Sequence, residues 1–162
     1  MPALSPETCF LLNIDEGICL GEELIVRAMF DKKANINNNP PYVSYNAFMP
    51  RIRDGIAETA LSFVHQDKCK TDEDIKIIAK THINPNRTVW YLVKLLVQKI
   101  ADMRFENGNL ISLIAERDNN PFELHTSVYP VSEDEVIQLS VATVLARIAE
   151  KPVTMEGSRS FD

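Results

Sequence analysis

The chain has 162 residues, of which 45% are hydrophobic and 25% are charged, a composition that excludes a disordered chain or a fibrous repeat. Its 17 Lys and Arg residues against 23 Asp and Glu residues give a net charge of −6, which disfavours non-specific binding to nucleic acids. We predict a single globular domain over residues 1–152 and a flexible C-terminal tail over 153–162.

The cysteines and the N-terminal residues predict a cytoplasmic protein with no membrane role. Cys9, Cys19 and Cys69 form a set too small and odd in number for a disulfide-stapled secreted domain. Residues 1–20 contain no basic side chain, so the positive region of a signal peptide is missing. The longest strongly apolar stretch, 89–97, is under half of the roughly 20 residues that span a bilayer.

Two helices are predicted in the first part of the chain. The first spans 21–31, because Glu22 and Glu23 would complement the positive end of a helix dipole. The second spans 50–66, because Pro50 suits a first helical turn and apolar residues recur after it at helical spacing.

Two further helices are predicted in the middle of the chain. Thr71 and Asp74 have the spacing of a capping box and would begin a helix that ends near His82. Asn84 followed by proline predicts the start of a fourth helix, which runs to about Met103. Since this helix is apolar on nearly every side, we expect it to be central and buried.

The last third of the chain predicts the only strands. The segment 110–129 has two strand-like runs around a polar turn and indicates a β-hairpin, although its first half could equally continue a helix. Ser132 and Glu135 form a capping box for a fifth helix, which Pro152 ends. The predicted fold class is therefore mainly α, with about five helices and one possible hairpin.

No motif for catalysis, cofactor binding or metal binding is recognisable. The five glycines cannot form a phosphate-binding loop, and the cysteines contain no C-x-x-C pair. His65 and Cys69, four residues apart, are the one candidate for a catalytic pair. We interpret them as a packed thiol beside a histidine at a helix end, and we predict a protein that is not an enzyme.

The helix pair predicted over 71–104 resembles a winged helix-turn-helix and supports an alternative function, a DNA-binding transcriptional regulator that is usually a homodimer. This segment carries a net charge of +2 against −8 for the rest of the chain. The residues expected to contact DNA are Lys80, Asn84, Asn86, Arg87, Thr88 and Lys94. Against this alternative, the supposed recognition helix leaves few polar residues for a groove.

The leading prediction is a non-catalytic protein-interaction module, such as an adaptor, an inhibitor, an immunity-type partner or a chaperone. An acidic surface would attract a basic partner, and the protein could also form a homo-oligomer. The interface candidates are Tyr42, Tyr45, Phe48 and Met49, beside an Asn- and Pro-rich loop. These side chains could equally anchor the loop to the core.

Overall fold

The computed structural model describes residues 18–19, 21–31, 36–66 and 70–155. Over these residues the chain forms a six-stranded antiparallel sheet with three α-helices, which is an α+β fold. The predicted mainly α class with about five helices was therefore wrong. Of these residues, none belongs to a helix with the length and apolar character needed to cross a bilayer.

The strands are β1 (Leu24–Met29), β2 (Ile52–Arg53), β3 (Ile56–Ala57), β4 (Leu61–Gln66), β5 (Tyr91–Leu96), β6 (Ile114–Arg117), β7 (His125–Tyr129) and β8 (Val153–Thr154). The sheet is built from strands that are distant in the chain, in the order β6-β7-β4-β1-β5-β8, and a small hairpin of β2 and β3 lies apart from it. The helices are a 3₁₀ helix (Tyr45–Phe48), α1 (Asp72–His82), α2 (Val97–Ala101) and α3 (Glu135–Ile148). Strand β8 lies in the segment predicted to be a tail.

The sheet has a hydrophobic core on each face. The face covered by α3 and the 3₁₀ helix, here called the α3 face, contains Ile25 and Phe63. The face covered by α1, here called the α1 face, contains Val26 and Val64, the next residue of each of the same strands. Because successive side chains of a strand point to opposite faces, the central strands contribute apolar residues to both cores.

The helices predicted over 21–31 and 50–66 were both wrong. Residues Leu24–Met29 form β1, and the second segment forms the β2–β3 hairpin followed by β4. Strand β1 lies between β4 and β5 and is buried on both faces, so it lacks the polar and apolar alternation by which a strand is recognised. Tertiary burial therefore produced an apolar run that is equally typical of a helix.

The fourth predicted helix was also wrong, and its apolar character has the same cause. Residues Tyr91–Leu96 form β5, which pairs with β1 along its full length, and only the short helix α2 follows it. Asn84 does not cap a helix, and its carbonyl oxygen accepts a hydrogen bond from the Arg87 N–H group in a turn. A continuous apolar run predicted burial correctly and the type of element wrongly.

For three segments the predicted type of secondary structure was confirmed. Helix α1 begins with the Thr71–Asp74 capping box, and β6 and β7 form the antiparallel hairpin. Helix α3 also forms, but Asp134, not Ser132, caps it by accepting hydrogen bonds from two backbone N–H groups of the first turn. Ser132 instead accepts a hydrogen bond from the Asp134 N–H group.

A buried ion pair fills the gap where β1 and β4 separate beyond their last pair, Val26 and Val64. The Arg27 side chain is 1% exposed and donates a hydrogen bond of 2.9 Å to Glu58 and one of 3.1 Å to the Ser62 carbonyl oxygen. Burial raises the pKa of Glu58, but the charge and hydrogen bond of Arg27 outweigh it and hold that pKa below its ordinary value. The pair thus fixes the backbone around Ser62.

Candidate functional site

An apolar cavity of about 320 Å³ opens on the α3 face. The 3₁₀ helix contributes Phe48, strands β4 and β7 contribute Leu61 and Val128, and α3 contributes Ile137 and Val141. A cavity of this size is at the lower end of the range that holds small ligands or a large side chain of a partner. It is therefore large enough to accept an apolar group from outside.

The cavity continues into a shallower depression along α3. The depression shares Phe105 and Ile137 with the cavity, and its lining includes Leu110 and Leu139. Three of the large apolar side chains that line it reach the solvent, Leu110, Ile137 (43% exposed) and Leu139 (42% exposed). We call the cavity and this depression together the α3 groove. Clustered exposed apolar side chains next to a cavity are typical of a binding surface.

Acidic side chains predominate at the start of the α3 groove. Glu133, Asp134 and Glu135 are exposed where α3 begins, and Glu106 lines the depression. Arg147 lines the other end of the depression. A partner with basic groups next to an apolar side chain would therefore meet opposite charges at this surface.

The interface candidates predicted from the sequence lie in and beside the 3₁₀ helix, and the structure gives them different environments. Phe48 is buried, stacks on Phe63 with ring centroids 6.4 Å apart, and lines the α3 groove from below. Met49 packs against the same core. Tyr45 is exposed and Tyr42 is half-buried. Phe48 and Met49 thus anchor the segment, which leaves Tyr45 as the most accessible of the four.

The residues predicted to contact DNA do not lie on a recognition helix, because β5 occupies its place. Lys94 of β5 donates a hydrogen bond of 2.6 Å to Asp72, and the Arg87 guanidinium donates one of 2.9 Å to the Phe30 carbonyl oxygen. Lys80 donates to the Arg87 carbonyl oxygen. Asn84, Asn86 and Thr88 lie in the segment between α1 and β5. The contacts of Lys80 and Arg87 connect the loop between α1 and β5 to α1 and to the end of β1.

A row of three polar side chains crosses the α1 face, and the sequence did not predict it. His125 Nδ1 lies 2.6 Å from an Asp118 carboxylate oxygen, and His125 Nε2 lies 3.3 Å from Ser62 Oγ. We call Ser62, His125 and Asp118 the polar row. Ser62 and Asp118 are 63 and 7 residues away from His125 in the chain, so only the pairing of β4 with β7 and of β6 with β7 brings them together.

A second buried histidine, His65, lies beside a thiol and a carboxylate. The ligand atoms of Cys19, Glu23 and His65 lie within 4.8 Å of one another, so these three residues could ligate a transition metal. However, His65 Nδ1 finds no hydrogen-bond partner among the described residues, whereas the second nitrogen of a metal-bound histidine is normally paired. Cys69, predicted as its neighbour, lies outside the described residues.

The Cys19 thiol is not an activated nucleophile. Burial is the largest cause that raises its pKa, to about 12, and the nearby Glu23 carboxylate raises it further. A thiol with this pKa stays protonated at neutral pH and reacts slowly. The cluster around His65 therefore packs the sheet and offers no thiolate for catalysis.

Comparisons with protein-family models, with curated proteins and with solved structures found no match to this chain.

Proposed function

We propose that this chain is a protein-interaction module that binds a partner protein in the α3 groove. The observation that carries the proposal is the set of exposed apolar side chains, Leu110, Ile137 and Leu139, along the depression that continues from an apolar cavity of about 320 Å³. Monomeric proteins rarely leave such a cluster in water unless it binds something. The rigid sheet and α3 hold the groove in place.

The partner that fits is a protein that presents a large apolar side chain flanked by basic residues. The apolar group would enter the cavity between Phe48 and Ile137, and the basic residues would face Glu133, Asp134 and Glu135. Removing a large apolar side chain from water contributes about 1.5–3 kcal/mol, so one such anchor strengthens binding by roughly one to two orders of magnitude. A second copy of this chain is disfavoured because each copy carries a net charge of −6.

The proposal can be tested with two matched substitutions of exposed isoleucines. Ile137→Glu places a charge in the α3 groove, whereas Ile77→Glu places one on the exposed side of α1, on the opposite face. We expect nuclease-treated lysate of the source cells to give one stoichiometric protein with the wild type and with Ile77→Glu. We expect Ile137→Glu to retain at least about 10-fold less of it.

Equal retention by all three proteins would exclude the α3 groove as the interface. Sedimentation of the purified chain tests self-association, and a dimer broken by Ile137→Glu would replace the partner protein with a second copy. The retained complex should also weaken with salt, because the acidic residues at the start of α3 are exposed and screened.

DNA binding stays a prediction that the same experiment tests. Retention of DNA in the untreated lysate, lost with Arg87→Ala, would support it, and no binding to any duplex at low salt would exclude it. We further propose that the protein acts in the cytoplasm, since its sparse cysteines suit a reducing compartment.

A further inference from the structure

The polar row on the α1 face has the arrangement of a serine nucleophile, a histidine base and a carboxylate that orients the base. Asp118 lies at Nδ1 of His125 and the Ser62 hydroxyl lies at Nε2, so the carboxylate and the hydroxyl contact opposite nitrogens of one ring. Hydrolases with a Ser-His-Asp triad have this order, because the carboxylate orients the histidine and the histidine takes the proton of the serine. The distances of 2.6 and 3.3 Å are within the range of such sites without substrate.

The protonation states follow from the contacts of Asp118. Its second carboxylate oxygen accepts a hydrogen bond of 2.7 Å from the Ser127 hydroxyl. Burial raises the pKa of Asp118, but the hydrogen bonds from His125 and Ser127 outweigh it and keep that pKa below its ordinary value. An ionised carboxylate can only accept, so in the neutral form of the His125 ring Nδ1 carries the hydrogen and Nε2 is left to accept the Ser62 proton.

A cavity of about 140 Å³ opens directly on the nucleophile and the base. Ser62 and His125 line it together with Arg51, Glu58, His82 and Phe122. Arg51 contributes a positive charge, and the Glu58 carboxylate is neutralised by its ion pair with Arg27. The cavity is smaller than the roughly 300 Å³ that drug-sized ligands need, so it fits a short acyl group.

The loop that positions His125 has a costly backbone conformation. Leu124 has φ of +72°, in the left-handed region that a leucine rarely adopts. Its N–H group donates to the Asn119 side chain at 2.9 Å, and its carbonyl oxygen accepts from the His65 N–H group at 2.8 Å. Such strain is retained mainly where function requires a particular geometry, and here it lies directly before His125.

We propose that the polar row is a hydrolytic site for esters with a short acyl group, with Ser62 as nucleophile, His125 as general base and Asp118 as the residue that orients His125. Ser62 Oγ forms a bond to the acyl carbon while its proton moves to His125 Nε2. The carbonyl oxygen takes the electron pair, and Arg51 stabilises its charge. The bond to the alcohol then breaks, and the alcohol oxygen takes the proton from His125.

The second half of the reaction returns the protein to its starting state. Water gives a proton to His125 Nε2, and its oxygen bonds to the acyl carbon. The bond from that carbon to Ser62 Oγ breaks, and Ser62 takes the proton back from His125. The products are a carboxylic acid and an alcohol, and no oxidant, reductant or metal takes part.

The first test is covalent labelling of the whole chain with a small alkyl fluorophosphonate, in which a serine oxygen displaces fluoride from phosphorus. We expect one adduct by intact mass, mapped to Ser62. Ser62→Ala should carry none, and His125→Gln should react at least about 100-fold more slowly, because it lacks the base. Ser140→Ala removes the hydroxyl of a serine on α3 and should be labelled as fast as the wild type.

The second test is hydrolysis of p-nitrophenyl acetate against p-nitrophenyl octanoate, with thermal unfolding of each variant as the control for folding. We expect the acetate to be preferred and Ser62→Ala to reduce its hydrolysis to the background rate. A wild-type adduct at any residue other than Ser62, or equal hydrolysis by Ser62→Ala, would overturn the proposal. Mapping the wild-type adduct does not depend on any variant, so it tests the proposal even if Ser62→Ala fails to fold.

Discussion

The two faces of the sheet differ in what their helices leave uncovered. On the α3 face, α3 and the 3₁₀ helix leave an apolar groove with exposed Ile137 and Leu139 at its edge. On the α1 face, the helix ends at His82 and leaves a small cavity around hydroxyl, imidazole and guanidinium groups. The same sheet thus supports a surface suited to binding apolar groups and a cavity suited to polar chemistry.

This difference follows from strand register. In β4, Phe63 points to the α3 face, while its neighbours Ser62 and Val64 point to the α1 face. The pairing of Val64 with His125 then places the histidine on the same face as Ser62. A shift of one residue would exchange the two faces, so the separation of apolar and polar groups depends on this register.

The largest expected effect comes from the apolar core of the α3 face. Phe63 is fully buried and stacks on Phe48, so Phe63→Ala should lower the free energy of unfolding by about 3–5 kcal/mol. Urea denaturation followed by circular dichroism measures this loss. A loss below about 1.5 kcal/mol would mean that the α3 face is not the main core.

The second largest effect on the free energy of unfolding is expected at the buried ion pair of Arg27 and Glu58. Glu58→Gln leaves Arg27 buried without its counter-charge and should cost about 3 kcal/mol. Glu123→Gln is the matched control, because Glu123 is exposed and its substitution should cost less than about 0.5 kcal/mol. Equal effects of the two substitutions in urea denaturation would contradict the role of Arg27 and Glu58 in closing the gap between β1 and β4.

Acid should weaken the protein through carboxyl groups whose pKa values are lowered by folding, among them Glu58 and Asp118. The stability from each is fully present above the pKa of the unfolded chain, and is lost as the pH falls through the lowered folded pKa. The free energy of unfolding should therefore decrease below about pH 5. Glu58→Gln and Asp118→Asn should each make that decrease less steep, and an unchanged pH profile in both would contradict the lowered pKa values.

Helix α1, which covers the α1 face, depends on its N-terminal cap. Thr71→Ala removes the side chain that accepts a hydrogen bond from the Asp74 N–H group, and should cost about 1 kcal/mol. Thr71→Ser is the control, since serine keeps the acceptor. If hydrogen exchange of α1 is unchanged in Thr71→Ala, then the stability of the helix is determined by the packing of its residues Ile75 and Ala79 into the core, and not by the cap.

The smallest effect on folding is expected in the α3 groove. Ile137→Glu changes an exposed side chain and should alter the free energy of unfolding by less than about 0.5 kcal/mol, whereas the proposed partner binding should fall at least about 10-fold. A large loss of stability in urea denaturation would show that Ile137 supports the core, and its effect on binding would then be indirect.

The sequence by itself determined the features that depend on neighbouring residues. The capping box of α1 and the β6–β7 hairpin were recognisable because each is formed within a short segment. The acidic charge was also readable, and burial of residues 89–97 was predicted correctly although their strand was not. Each of these depends on the local sequence alone.

Only the tertiary structure decided which apolar runs became strands and which polar residues meet. Strands β1, β4 and β5 are buried on both faces, which removes the alternation that distinguishes a strand from a helix. Ser62, His125 and Asp118 carry no spacing signal, because three strands and a loop bring them together. Pairing between distant strands is a long-range interaction, and the geometry of the polar row depends on it.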